Sequence, residues 1–436
     1  MHSNFHRENS LANCAIRCAL AANQVFLCIL FIGPLTLLYA SEENLKAESR
    51  WSVEDMRGTG VRRTQEFVLS RLSHRPVTEI KLLIPHGVLG ARIEGTAAFD
   101  GDSLSQLQGN MVIEELTREG SELRRLELRE QDGRIQRLFS VSGHEQSFEP
   151  QGRAFMTRII PILLRESALN ASDRVISILS QTGVQGVLAE IALIRRDLAR
   201  AMYLRELSQL AVIDEPHLTQ ALDLVATIDA DTERRVAITA LLKQKTFAGS
   251  HAHQTLLLIA KLDSNLEKRV VLVQLVPQIA ARTDVAEELS EVFRSFESDS
   301  EVRVAIAALG QQELLDPHNV TAAIKAVYQI ESDHEAANAL DALAGHLQDA
   351  TAFSLYLEAL DRIESGYERR RAVSTLIASV TLRRADMDTL LEAMKRVDSD
   401  STCAYLLEEL HRTQGTMLDA RRPYLDAVAR CKDITG

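Results

Sequence analysis

The strongest constraint on this chain is a period. Segments reading IDADTERRVAITALL, LDSNLEKRVVLVQLV, FESDSEVRVAIAALG, IESDHEAANALDALA, IESGYERRRAVSTLI and VDSDSTCAYLLEEL begin at Ile228, Leu262, Phe296, Ile330, Ile363 and Val397, at intervals of 34, 34, 34, 33 and 34 residues. Ile194 extends the series one step earlier at the same spacing. A fixed interval of this size means one supersecondary unit repeated, each copy burying its apolar face only against its neighbours. The expected fold class is therefore mainly α, a solenoid of about seven 34-residue helical hairpins over residues 194–436.

Each unit reads as a helix ending at the apolar anchor, a polar turn and a second helix. Ser264-x-x-Glu267, Ser298-x-x-Glu301, Ser332-x-x-Glu335 and Ser365-x-x-Glu368 spell capping boxes for the second helices, in which hydroxyl and carboxylate satisfy each other's orphan backbone donors. Apolar residues then recur at helical spacing, as in Val270, Leu272, Val273 and Val276. Ser250, Asp284, Asp316 before Pro317, and Asp349 read as starts of first helices. The Trp, Tyr and Gly signature of tetratricopeptide repeats is missing, and HEAT-like hairpins describe the units better. With aromatics at only 5%, the composition also favours helical repeats over a large β-protein.

Ahead of the repeats the periodicity changes. VTEIKLLI, GARIEGTAAF, NMVIEEL, LRRLELRE and IQRLFSVSG read as short strands divided by the turn formers DGDS, REGS and QDGR. Residues 77–149 are thus expected to form a small antiparallel β-domain, 41–76 a linker, and 150–193 helices that cap the stack. At the N-terminus, Arg7 and Arg17 precede an uncharged run from Cys18 to Ala40, with Glu42 and Glu43 just beyond it. This pattern exports the remainder of the chain. Residues 1–40 are either a signal peptide cleaved after Ala40 or an uncleaved anchor through residues 18–40. Of five cysteines, Cys14, Cys18 and Cys28 lie in this leader. Cys403 and Cys431 could form a disulfide across the last hairpin, or remain two buried thiols.

Two short motifs invite a catalytic reading. Gly101-Asp102-Ser103-Leu104 spells the nucleophile block of GDSL-type hydrolases, and Asp214-Glu215-Pro216-His217 matches that family's Asp-x-x-His block. A nucleophile and its base must come within hydrogen-bond reach, yet Ser103 falls at a turn between strands and His217 at a helix start in the repeats. No βα alternation links them, so turn chemistry is the better explanation of the letters.

The aligned repeats carry two acidic columns. One position past the anchor stand Asp229, Asp263, Glu297, Glu331, Glu364 and Asp398; two further on stand Asp231, Asn265, Asp299, Asp333, Gly366 and Asp400. A basic row, Arg235, Arg269, Arg303 and Arg370, lies seven past the anchor. Three uses are open to them: helix caps and ion pairs with the basic row, a dock for a basic peptide, or calcium bridging, for which Asp-x-Asp supplies oxygens but no full coordination loop. His251 and His253 are the one close histidine pair, but side chains two apart do not share a helix face and no metal is expected there. A net charge of −12 argues against nucleic acid as a partner.

The runs FDGDSLSQLQGNMVIEEL and LRRLELREQDGRIQRLFSVSGHEQSFEPQGRAFMTRIIPILLRES, with the repeats after them, resemble the extracytoplasmic tails of bacterial antirepressor-type membrane zinc metallopeptidases. In those tails a small β-region precedes HEAT-like hairpins, and the likeness spans about residues 77–410. Their His-Glu-x-x-His motif is broken in this chain, where His334-Glu335-Ala336-Ala337-Asn338 lacks the second histidine. The resemblance implies a non-catalytic envelope module without a cofactor, located in the periplasm, secreted or anchored in the inner membrane. The expected role is a scaffold or adaptor that binds a protein or peptide through its repeat surface. A sensory module beside a membrane peptidase or signalling protein is the alternative, with a GDSL-type hydrolase as a third.

Overall fold

The structure is a computed structural model that describes residues 77–118, 122–247, 249–380, 384–394 and 400–414. The leader, the linker and Cys431 lie outside the described residues. The described part is mainly helical, with one small antiparallel sheet preceding the helices.

The sheet is a meander of β1 (Val77–Ile84), β2 (Gly87–Asp100), β3 (Ser103–Thr117), β4 (Leu123–Gln131), β5 (Arg134–Val141) and β6 (His144–Gln146), paired in that order. Two-residue turns at Asp132-Gly133 and Ser142-Gly143 hold both central residues at positive φ (54° and 74°, 50° and 84°), the backbone that matches strand twist in tight hairpins. Alternation sorts the two faces, although Val112, Glu114 and Leu116 of β3 are buried on the opposite face as well. Ile80, Leu82, Leu89, Met111, Ile113, Leu126 and Phe139 point inward and are buried. Outside, Arg92 lies between Glu79 and Glu94 at 2.8 and 3.0 Å.

The inner face is closed by helix α1 (Arg153–Ser167), whose Phe155, Ile159, Ile160, Leu163 and Leu164 complete the sheet's core. Glu115, buried on β3, accepts two hydrogen bonds from Arg158 of α1 at 2.8 and 2.5 Å. The helix expected to cap the helical stack thus also covers the sheet. An apolar sheet face needs a covering layer of its own.

The remaining helices are α2 (Ala171–Leu193), α3 (Asp197–Leu210), α4 (Glu215–Ala226), α5 (Asp231–Leu241), α6 (Gly249–Ala260), α7 (Asn265–Ile279), α8 (Ala286–Arg294), α9 (Asp299–Gly310), α10 (Pro317–Val327), α11 (Asp333–Leu343), α12 (Ala350–Arg362), α13 (Gly366–Ser379), α14 (Arg384–Met394) and α15 (Asp400–Gln414). Each packs on the next but one, so even-numbered helices form one row and odd-numbered helices another. One apolar core runs between the rows from Ala171 to Leu410. The anchors Ile194, Ile228, Leu262, Phe296, Ile330 and Ile363 are all buried in it. Among the described residues α2 is long and apolar enough to span a bilayer by composition. It is broken at Gly183 (φ 69°, ψ −166°), and its Val175, Val187, Leu188 and Ile191 join the protein core.

Burial predicts which side chains stability depends on. Leu272→Ala, at a fully buried site on α7, should cost about 2–5 kcal/mol in urea unfolding. Leu314→Ala, at a position 75% exposed, should change it by less than about 0.5 kcal/mol. Equal shifts would contradict the two-row core.

Candidate binding edge

The two acidic columns do different work. In the second, the carboxylate sits at the first residue of an odd-numbered helix and reaches the turn of the following unit. Asp231 Oδ2 accepts the N–H groups of Asp263 and Ser264 at 2.8 and 2.6 Å. Asp299 Oδ2 accepts those of Glu331 and Ser332 at 3.1 and 2.8 Å. Asp333 accepts those of Glu364 and Ser365 at 3.1 and 2.7 Å, and Asn265 Oδ1 accepts that of Glu297 at 2.9 Å. Asp197 makes the same pair of bonds to Asp229 and Ala230 at 3.1 and 3.0 Å. These carboxylates hold successive units together and are not open to a partner. Asp398 lies outside the described residues, as do the side chains of Asp400 and Cys403.

The expected capping boxes are therefore half made. Ser264, Ser332 and Ser365 each accept the N–H of the glutamate three residues on, at 3.4 Å. The reciprocal bond is absent because the previous unit's aspartate has taken the serine N–H. Ser298 departs further: its hydroxyl faces Ser300 at 3.2 Å and caps nothing. The freed glutamates turn to the basic row. Arg235 pairs with Glu267, Arg269 with Glu301, and Arg303 with Glu335, the last at 2.7 Å. The basic row was expected to meet the acidic columns; it meets the capping glutamates of the following unit instead. Arg370 lies against the rings of Tyr367 and Tyr405.

Sequence reasoning missed a further basic column, six past the anchor. Arg200 donates to the Ile194 and Thr227 carbonyls, both at 2.7 Å. Arg234 donates to those of Ile228 and Lys261 at 2.8 and 3.0 Å. Lys268 donates to Ser295 O, and Arg369 to Ile363 O at 2.9 Å. Each cation plugs carbonyls at the C-terminal ends of even-numbered helices, where the helix dipole favours it. Burial pulls the Lys268 ammonium below its ordinary pKa, against the pull of Glu297, Asp263 and Asp231. The column was visible in the alignment, but Val302 and Ala336 interrupt it.

The first acidic column stays open. Asp229, Asp263, Glu297, Glu331 and Glu364 are exposed, and none forms a side-chain hydrogen bond or ion pair among the described residues. Their backbone amides are pinned by the second column, so the carboxylates stand at a fixed repeat. Where Val302 replaces the basic plug, a cleft of about 510 Å³ opens, walled by Phe296, Glu297, Asp299, Glu331 and Glu335.

The hydrolase motifs separate. Asp214 caps α4, accepting His217 N–H at 3.1 Å and facing His217 Nδ1 at 2.5 Å. The His217 backbone N–H is the first cause holding the Asp214 carboxyl below its usual range. Ser103 opens β3 after the Gly101-Asp102 turn, and no hydrogen bond joins it to His217. Asp102 instead pairs with Arg174 of α2, which also reaches Glu190 at 2.9 Å. The histidine pair divides as well. His251 is buried with Nε2 3.3 Å from Thr219 Oγ1, while His253 faces Glu288 and Asp284 at 2.8 and 3.3 Å. Asp284 lies inside a short 3-10 turn (Thr283–Val285) and does not cap a helix, contrary to expectation. Ser250 bonds Glu215 at 3.2 Å, whereas Asp316 and Asp349 cap as expected. Among the described residues no group of three or more His, Cys, Asp or Glu is arranged to hold a metal ion.

Compared with known proteins, the chain matches no family model, no curated protein and no solved structure.

The two columns predict opposite mutational behaviour. Asp299→Ala leaves two amides of the next turn without their acceptor and should cost about 1–3 kcal/mol; Glu331→Ala, exposed and unpaired, should cost less than about 0.5 kcal/mol. Urea unfolding of both variants checks the distinction.

His253 adds a pH dependence. Both ring nitrogens face carboxylates, a pair of contacts that only the doubly protonated ring fully satisfies. The Glu288 hydrogen bond, then that of Asp284, raises its pKa against the opposing effect of burial. The contribution should be complete below the ordinary histidine value of about 6.5 and lost as pH rises through the higher folded value. Replacing His253 with Gln should remove that segment of the stability–pH curve, and an unchanged curve would contradict it.

Proposed function

We propose that this chain is a non-enzymatic scaffold or adaptor of the bacterial envelope, a HEAT-like α-solenoid that binds a basic, extended protein segment along its open acidic column. The observation that carries this reading is the contrast between the columns: one is occupied in joining units, the other projects unpaired carboxylates at a fixed repeat. A rigid row of like charges costs self-repulsion in the free protein, and a partner with lysines or arginines at matching intervals relieves it. The cleft at Val302 fits the same partner. There the chain lacks the cation that Arg234 and Lys268 supply in earlier units, and an incoming Lys or Arg would replace it among four carboxylates. The resemblance to peptidase tails and the leader pattern support an extracytoplasmic location, secreted or anchored through residues 18–40. No bond chemistry is assigned to Ser103 or His217.

The test uses the full-length protein and a fluorescein-labelled peptide of alternating lysine and serine, read by fluorescence anisotropy. Saturable binding should weaken steeply with salt, as screening of exposed charges requires. Glu297→Lys with Glu331→Lys should reduce affinity by about tenfold or more. Val302→Arg, which gives the cleft its own plug, should do so too while leaving the fold intact. Binding that ignores all three substitutions would overturn the proposal.

A further inference from the structure

We propose a second binding site at the far end of the sheet, which takes an extended polypeptide strand by pairing with the edge of β3. β4 accompanies β3 only from Asn110, opposite Arg129, to Leu116, opposite Leu123. Residues 103–109 have β2 on one side and, among the described residues, no strand on the other. Two contacts fix the bonding phase: Arg118 N–H donates to His86 O, towards β2, and Thr117 N–H donates to Glu122 O, towards β4. Even-numbered residues of β3 thus bond towards β2 and odd-numbered ones towards the side of β4. The phase holds down to Gln106, where the ladder shifts by a bulge at Ala98/Phe99. Leu107 therefore turns its N–H and C=O, and Gly109 its N–H, to the side that lacks a strand.

A cleft of about 750 Å³ lies on that side, lined by Gln106, Leu107, Gln108 and Gly109 and, across from them, by Glu130 and Ile135. Leu107 is buried because its side chain enters the sheet's core; its backbone lines the cleft. Gly95 and Gly109 face each other across the ladder with φ of 108° and 111°, and a Cβ on Gly95 would collide with the Gln108 carbonyl. That pair puts no side chain of its own over this stretch of the ladder, which suits close approach of another backbone.

The chemistry selects the occupant. Unpaired donors and acceptors along a strand edge are matched by another extended backbone. The gap is lined on one side by β3 and on the other by the tip of the β4–β5 hairpin, so an incoming strand has to fit between the two, which suits a single extended chain. Thr96, Ser105, Gln106 and Gln108 make its walls largely neutral and polar, with Leu107 and Ile135 apolar and Glu130 the one charge, which suits a segment rich in Ser, Thr, Asn or Gln with one basic residue. The outer edge of β1 is less available, since Arg196 donates to the Lys81 carbonyl at 3.4 Å. This site is separate from the acidic column and does not depend on it.

Amide hydrogen exchange of the full-length protein, with and without the acetylated peptide Thr-Gln-Lys-Thr-Gln-Ser, tests the proposal. In the free protein the Leu107 and Gly109 amides should exchange on the order of a hundred times faster than those of Met111 and Ile113, which β4 pairs. The peptide at millimolar concentration should slow both by about tenfold or more. The same peptide with alternate backbone nitrogens methylated, in either register, should not. Protection already present without peptide, no slowing with it, or equal slowing by the methylated forms would overturn the inference. Protection that grows with protein concentration alone would replace the peptide by a second copy, and overturn it as stated.

Discussion

An aspartate one residue inside a helix, accepting the two amides that open the next unit's turn, is the contact on which the helical part depends. It solves a local problem by non-local means. A helix start leaves backbone donors without partners, and here the previous unit supplies one acceptor for the serine amide and the residue before it. The serine of the same turn satisfies another donor from within. Dividing the capping box between neighbours frees its glutamate to pair with an arginine of the previous unit. Register between units is thus fixed by directional bonds as well as by apolar packing, which tolerates sliding more readily.

The basic plugs complete the arrangement from the other end of the hairpin. Arg200 and Arg234 each tie the ends of two successive even-numbered helices, so their turns are held by an acid at one side and a cation at the other. Where Val302 stands in place of the cation, Asp299 still holds the next turn and Arg362 reaches only its Tyr328 carbonyl, and the surface opens. A structural repeat and its interruption therefore produce a concave acidic feature along the edge.

The joint between sheet and helices also relies on paired charges, in a drier setting. Asp102 meets Arg174, Arg174 meets Glu190, and Glu190 meets Arg165 at 2.7 Å. Burial would raise the Glu190 carboxyl, but its hydrogen bonds to Arg165 and Arg174 outweigh burial and keep it below the usual range. Glu166 lacks such partners beyond backbone amides, and burial pushes it up. For the buried members of this chain of charges, desolvation offsets much of the attraction, so removing one partner would cost more than the pair itself contributes. The letters that suggest a hydrolase nucleophile are the turn that makes this joint: Gly101 takes positive φ, Asp102 supplies the charge, and Ser103 begins a strand.

The sequence by itself determined the helical hairpins, the strands and the buried anchors, because these arise from periods of about 34, 3.6 and 2 residues that any local reading detects. It also placed the carboxylate columns, since position within the unit is a property of the alignment. Their use was beyond its reach. Asp231 and Asp263 carry the same charge at neighbouring positions of the unit, yet one is bound to the next unit's amides and the other is left in water. That difference depends on which backbone donors a neighbouring hairpin brings within about 3 Å. Such facts arise only when units separated by more than thirty residues are packed together, and tertiary structure alone supplies them.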